Sequence, residues 1–195
     1  MRKIFALILA AMLLSCAALA EALPEGAVLT VADALVSDGF TAVTVENLPE
    51  DFTPLYAVEG LDMFVGDGNM VFVGAMPGTY TLTVTDESET YADTLSADFV
   101  LSTEALPVAY DAEAGAIAVA ENMDETLAQT FIANIASVEV NGAAYPAVGE
   151  DAVTIVREDG AIDTGAEVFG AAGSYELTVT AIGFTQPLVF TVDVE

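Results

Sequence analysis

From Val28 onward, apolar and polar residues alternate in short runs separated by turn residues. The strongest local signal is Ile135–Tyr145, I-A-S-V-E-V-N-G-A-A-Y. A two-residue type I′ turn needs φ > 0 at both central positions, which Asn141-Gly142 tolerates best, so a β-hairpin is predicted. Its register puts Val138 opposite Tyr145 and Val140 opposite Ala143 on one side, with Glu139 and Ala144 on the other. An apolar face against a more polar one predicts a hairpin that covers a core.

The same period of two predicts strands at 28–31, 41–45, 55–58, 70–73, 79–85 and 97–101 in the first half. The turn residues between them are Asp38-Gly39, Pro49, Gly66-Asp67-Gly68-Asn69 and Pro77-Gly78. Strands at 108–110, 116–119, 153–157, 174–180 and 188–194 follow in the second half. Leu127 and Phe131 lie at helical spacing, with Met123 behind them, and predict one helix over 122–134. Asn122 is the expected cap, and Glu125 three residues on completes a capping-box pattern.

Two stretches repeat. G-T-Y-T-L-T-V-T at 78–85 and G-S-Y-E-L-T-V-T at 173–180 lie 95 positions apart; at that offset Val43 and Val45 fall on Val138 and Val140, and Asp98 on Asp193. The expected fold is all-β: two tandem Ig-like antiparallel β-sandwich domains, at 25–103 and 104–195, the second with one short helix.

Arg2 and Lys3 precede an apolar run at 4–14 too short to span a bilayer, and Ala18-Leu19-Ala20 precedes Glu21. This is the pattern of a secretory signal peptide cleaved after Ala20. Leu13-Leu14-Ser15-Cys16 also resembles a lipobox, which makes a lipoprotein acylated at Cys16 the alternative. The chain is expected to be secreted or held at the cell surface, without a membrane span.

The 31 acids all lie from Glu21 onward, against the single base Arg157, and the chain has no histidine. Such a surface repels nucleic acid and anionic lipid and suits basic partners or divalent cations. With no histidine, and no cysteine or lysine beyond the export signal, a Ser-His-Asp or Cys-His site cannot be assembled. No enzyme, cofactor or metal site is expected. Oxygen-ligand sets remain conceivable at Asp62, Asp67 and Asn69, or at Glu158, Asp159 and Asp163, although neither matches an EF-hand loop. Tyr56, Tyr80, Tyr110, Tyr145, Tyr175 and the methionines could in principle ligate haem iron, but Tyr80 and Tyr175 fall on core-facing strand positions, where an aromatic packs.

I-A-S-V-E-V-N-G-A-A-Y (135–145), V-T-I-V-R-E-D-G (153–160) and G-S-Y-E-L-T-V-T-A-I-G-F (173–184) occur in this order after a short helix. As a set, the stretch from Leu106 to Val194 resembles the hemoglobin-interacting domain, a module of Shr-type haem-uptake receptors and other exported Gram-positive proteins. The resemblance implies a β-sandwich that binds hemoglobin as a protein partner and passes it to other modules for haem removal. The first half loosely resembles the Ig-like segment that can precede this domain. The turns of these motifs supply the candidate contacts: Asn141, Gly142, Tyr145, Gly183 and Phe184. Were Phe184 a contact, truncating it would weaken capture without moving the melting temperature; were it core, stability would fall. The competing expectation is a structural envelope or matrix module without globin affinity, in which calcium could stabilise loops.

Overall fold

A computed structural model describes residues 20–195; residues 1–19, which carry the expected export signal and Cys16, lie outside it. The first half forms two four-stranded sheets. One orders its strands β1 (Val28–Val31), β3 (Phe40–Glu46), β6 (Asn69–Val73), β5 (Asp62–Gly66), and the other β2 (Ala34–Leu35), β8 (Leu95–Ser102), β7 (Gly78–Asp86), β4 (Pro54–Val58). The pleat sends Leu29, Val31, Val43, Met70 and Phe72 from the first sheet, and Leu82, Val84, Phe99 and Leu101 from the second, into one core. This is the sandwich that the alternating runs predict, antiparallel except that the short β2 pairs parallel with β8. The strands at 62–66 and 34–35 were not among those expected.

A separate core fills the second half. Its sheet orders β12 (Ala143–Pro146), β11 (Ile135–Val140), β13 (Gly173–Ala181), β14 (Leu188–Val194). The facing layer is not a second large sheet. It comprises the ribbon of β9 (Val108–Asp111) and β10 (Ala116–Val119), the helix α1 (Glu125–Ala133), and a long connection that buries Ile155, Ile162 and Phe169. Helix α1 begins later than the capping pattern suggests. Asn122 takes a left-handed φ of 61°, and Asp124 is the cap, its Oδ1 accepting from Leu127 N at 2.9 Å. The strand expected at 153–157 does not form. Its backbone bonds instead to scattered partners, Val153 N to Pro146 O and Arg157 N to Ala161 O, with a single bridge from Val156 to Ile162.

The two stretches that repeat in sequence form corresponding strands, but their neighbours do not correspond in register or in sheet position. β7 and β13 match, and each begins on a glycine (Gly78, Gly173). The Tyr80 hydroxyl donates to Met76 O four residues back at 2.8 Å; the Tyr175 hydroxyl lies 2.7 Å from Ala171 O, also four back, but its nearer acceptor is Phe169 O. The next strand has slipped by two residues. Thr81 pairs with Asp98 and its Oγ1 donates to Asp98 Oδ1 at 2.6 Å; at the repeat offset Glu176 would face Asp193. Glu176 instead faces Thr191, and Asp193 faces Ser174. The slip removes a like-charge cross-strand pair and, being even, keeps the core face inward. By contrast, β3 and β11 are not equivalent. β11 lies beside β13, the place that β4 holds beside β7, whereas β3 belongs to the opposite sheet.

Asp86 closes β7 and is 5% exposed. Its carboxylate accepts from Ser88 Oγ (2.6 Å) and from the backbone N–H groups of Thr90 (2.8 Å), Thr53 (3.0 Å), Tyr91 (3.2 Å) and Ser88 (3.3 Å). Burial alone pushes its pKa up; the bonds from Ser88, Thr53 and Tyr91 outweigh that and lower it from 3.8 to about 2. A depressed folded pKa gives stability that is complete above the unfolded value and is lost as pH falls through the folded one. The melting temperature of the protein is therefore expected to fall between about pH 4 and pH 2. Asp86→Asn should start lower at neutral pH and lose less over that window. An equal acid-induced loss in both proteins would place the titrating group elsewhere.

Candidate functional site

The motif-bearing hairpin forms in the expected register, with Val138 opposite Tyr145 and Val140 opposite Ala143. Asn141 (φ 49°) and Gly142 (φ 82°) supply the two positive φ values of the turn. Asn141 also has a local task. Its N donates to Glu176 O at 2.8 Å and its Oδ1 accepts from Glu176 N at 2.9 Å, which clamps the turn onto β13. The exposed tip comprises Asn141, Gly142, Ala143 and Ala144, while Tyr145 is half-buried against the core.

Gly183 and Phe184 lie elsewhere. β13 runs antiparallel to β11 with Ile135 opposite Ala181, so the Gly183 turn sits at the end of the sheet away from Asn141. The five candidate contacts therefore do not form one patch. Gly183 is buried where the two halves meet: Thr103 N donates to Gly183 O (2.8 Å), and Thr185 N donates back to Thr103 O (3.0 Å). Asn134, the C-cap of α1, spans the same seam, its Nδ2 donating to Pro77 O (3.1 Å) and Ile182 O (3.2 Å). Phe184 is half-buried, edge-on to Phe131 with ring centroids 5.0 Å apart. These two residues join the halves.

Sequence reasoning missed a cleft of about 430 Å³ between the end of α1, β11 and the connection after β12. Ile132, Ile135, Val138, Ala147, Val148 and Val156 form its apolar wall, and Arg157 and Glu158 stand at its rim. Arg157 Nη2 donates to Asp163 Oδ1 at 3.1 Å with its side chain half in solvent. The only signal for the cleft was Arg157, the one base from Glu21 onward, next to an apolar run.

The candidate oxygen-ligand sets are dispersed. Asp62 and Asp67 bracket β5, with Asp62 opposite Val73 and the Asp67 turn at the other end. Asp159 Oδ1 accepts from Ala161 N at 3.0 Å, and Asp163 is held by Arg157 and Gly165 N, so both serve their own turns. Among the described residues, no three His, Cys, Asp or Glu side chains are grouped to hold a metal ion. Among them, too, no helix is long and apolar enough to cross a membrane.

Residues 109–195 match the family model described as "Heme-binding protein Shr-like, Hb-interacting domain", the region to which the ordered motifs pointed. No curated protein matches the chain. Among solved structures, the SGBP-B of the Bacteroides ovatus mixed-linkage glucan utilization locus, in complex with a mixed-linkage heptasaccharide, is similar at 16% identity and a TM-score of 0.29. That match covers 90% of this chain but spans only 45% of the other.

Proposed function

We propose that the chain is an exported, non-catalytic protein-binding module, and that residues 109–195 carry the binding function with hemoglobin as partner. The observation that supports this most is the family match over the residues that form the hairpin sheet and its facing layer. On this reading the chain comprises an Ig-like domain at 25–103 and a hemoglobin-interacting-type domain at 104–195. It reaches the cell surface or the medium through a signal cleaved after Ala20. The proposed contacts are the tip of the hairpin, Asn141 and Gly142, with Tyr145 at its base. Gly183 and Phe184 are left to the seam between the halves.

Immobilised protein is expected to retain hemoglobin at micromolar concentration. Ala144→Arg, on the exposed tip and away from the core, should reduce retention about tenfold with little change in melting temperature. Retention of no hemoglobin by the unaltered protein overturns the reading. Retention untouched by Ala144→Arg moves the contact off the hairpin. A second reading, a structural envelope module without globin affinity, draws support from the small side chains at the tip, where Gly142, Ala143 and Ala144 offer a partner little area to bury.

A further inference from the structure

The outer face of the β1-β3-β6-β5 sheet carries apolar side chains that nothing in the described chain covers. Register sets Phe40 beside Val71 and Val71 beside Phe64, an unbroken row across three strands, and Val73 extends it along β6. Phe64 is 72% exposed, Val73 76%, Phe40 52% and Val71 48%. The pleat fixes this exposure, since the alternate residues Thr41, Val43, Met70 and Phe72 already fill the core. The Phe64 ring also lies flat along its own strand: a Cβ on Gly66 would stand 2.8 Å from Phe64 Cε1. A contiguous row of exposed aromatics and valines on an acidic chain fits an interaction site better than scattered exposure does.

The surrounding charge says what kind of partner fits. Asp62 sits cross-strand from Val73, Asp38 lies two residues before Phe40, and Asp67 closes the β5–β6 turn. No Lys, Arg or His occurs anywhere between residues 20 and 156. A second copy of this chain, laid face to face, would oppose these carboxylates within a molecule of formal charge −28. We propose that this face docks a cationic amphipathic protein segment. Apolar side chains of the segment would cover Phe40, Val71 and Phe64, while its Lys or Arg side chains meet Asp38, Asp62 and Asp67. The proposal stands apart from hemoglobin binding, which was placed on the other half.

The test is a titration of the purified protein with a labelled amphipathic peptide of leucine and lysine, and with its leucine–glutamate counterpart. The lysine peptide is expected to bind and the glutamate peptide to fail. Phe64→Ser and, separately, Val73→Ser should each weaken binding about tenfold, although every carboxylate that could attract the peptide nonspecifically remains. Val189→Ser, an exposed valine on β14 (54%), should leave it unchanged. Equal binding by the Phe64 and Val73 variants, or no binding by the unaltered protein, overturns the proposal. Self-association in sedimentation that Phe64→Ser abolishes would also overturn it, by identifying a second copy as the occupant.

Discussion

Gly183→Ala is expected to lower the melting temperature by about 6–12 °C, and to split one calorimetric transition into two. Gly183 holds φ at +83°, a conformation that an L side chain rarely adopts. A Cβ there would overlap Gly78 N and stand 2.7 Å from Pro77 C and 2.9 Å from Leu101 O. All three are backbone atoms of the first half and cannot rotate away. Strain and overpacking together cost about 3 kcal/mol. The chain can avoid the clash only by opening the seam, which also breaks the Thr103–Gly183 and Asn134–Pro77 hydrogen bonds. Gly142→Ala is the matched control. Its φ of +82° is almost the same, yet nothing lies within 4 Å of the added methyl, so only the strain of about 1 kcal/mol applies. Equal losses in the two variants would show that φ alone governs Gly183 and that the seam carries no load.

That contrast explains what could be read from the chain in advance. Period-two alternation is a local property, so β7, β13, β14 and the β11–β12 hairpin were legible to within a residue or two. Turn chemistry is local as well, and Asn141-Gly142 folds as its φ preferences demand. Gly183 looked like the same kind of signal. Its glycine is required for a different reason, an approach by Pro77 and Gly78 from about a hundred residues earlier, which no window of sequence displays. The failed strand at 153–157 has a related cause. Its residues suit a strand, but a ladder needs a neighbour, and the Asp159-Gly160 turn offers only Ile162 as a partner for Val156.

The repeat shows where a constant offset misleads. Gly78 with Tyr80 and Gly173 with Tyr175 correspond in strand position. Val43 and Val138 share only a two-residue pattern common to any half-buried strand. The helix start was mistaken for a similar reason. Asn122 and Asp124 are both acceptable caps, and the choice rests on backbone direction, since Asn122 at φ 61° turns the chain while Asp124 is extended. The candidate contacts were legible as turns but not as a site. Which turns face solvent together depends on strand order, and the antiparallel pairing of β11 with β13 sends the two turns to opposite ends of one sheet.

Phe131→Ala is expected to cost about 3–5 kcal/mol. Phe131 is fully buried, faces the sheet from α1, and supports the ring of Phe184 edge-on. Removing it leaves a cavity bounded by the helix backbone and by strands tied into a four-stranded sheet, so little can collapse into the space. Phe184→Ala removes the other ring of the pair. That side chain is already partly exposed, so the loss should be smaller, about 1–2 kcal/mol including the edge-to-face contact. A fall in melting temperature in both variants, with the double variant losing less than the sum, would establish that the two rings act as one unit. If Phe184→Ala instead leaves stability unchanged and reduces hemoglobin retention, Phe184 returns to the binding surface, and the seam rests on Gly183 and Asn134 alone.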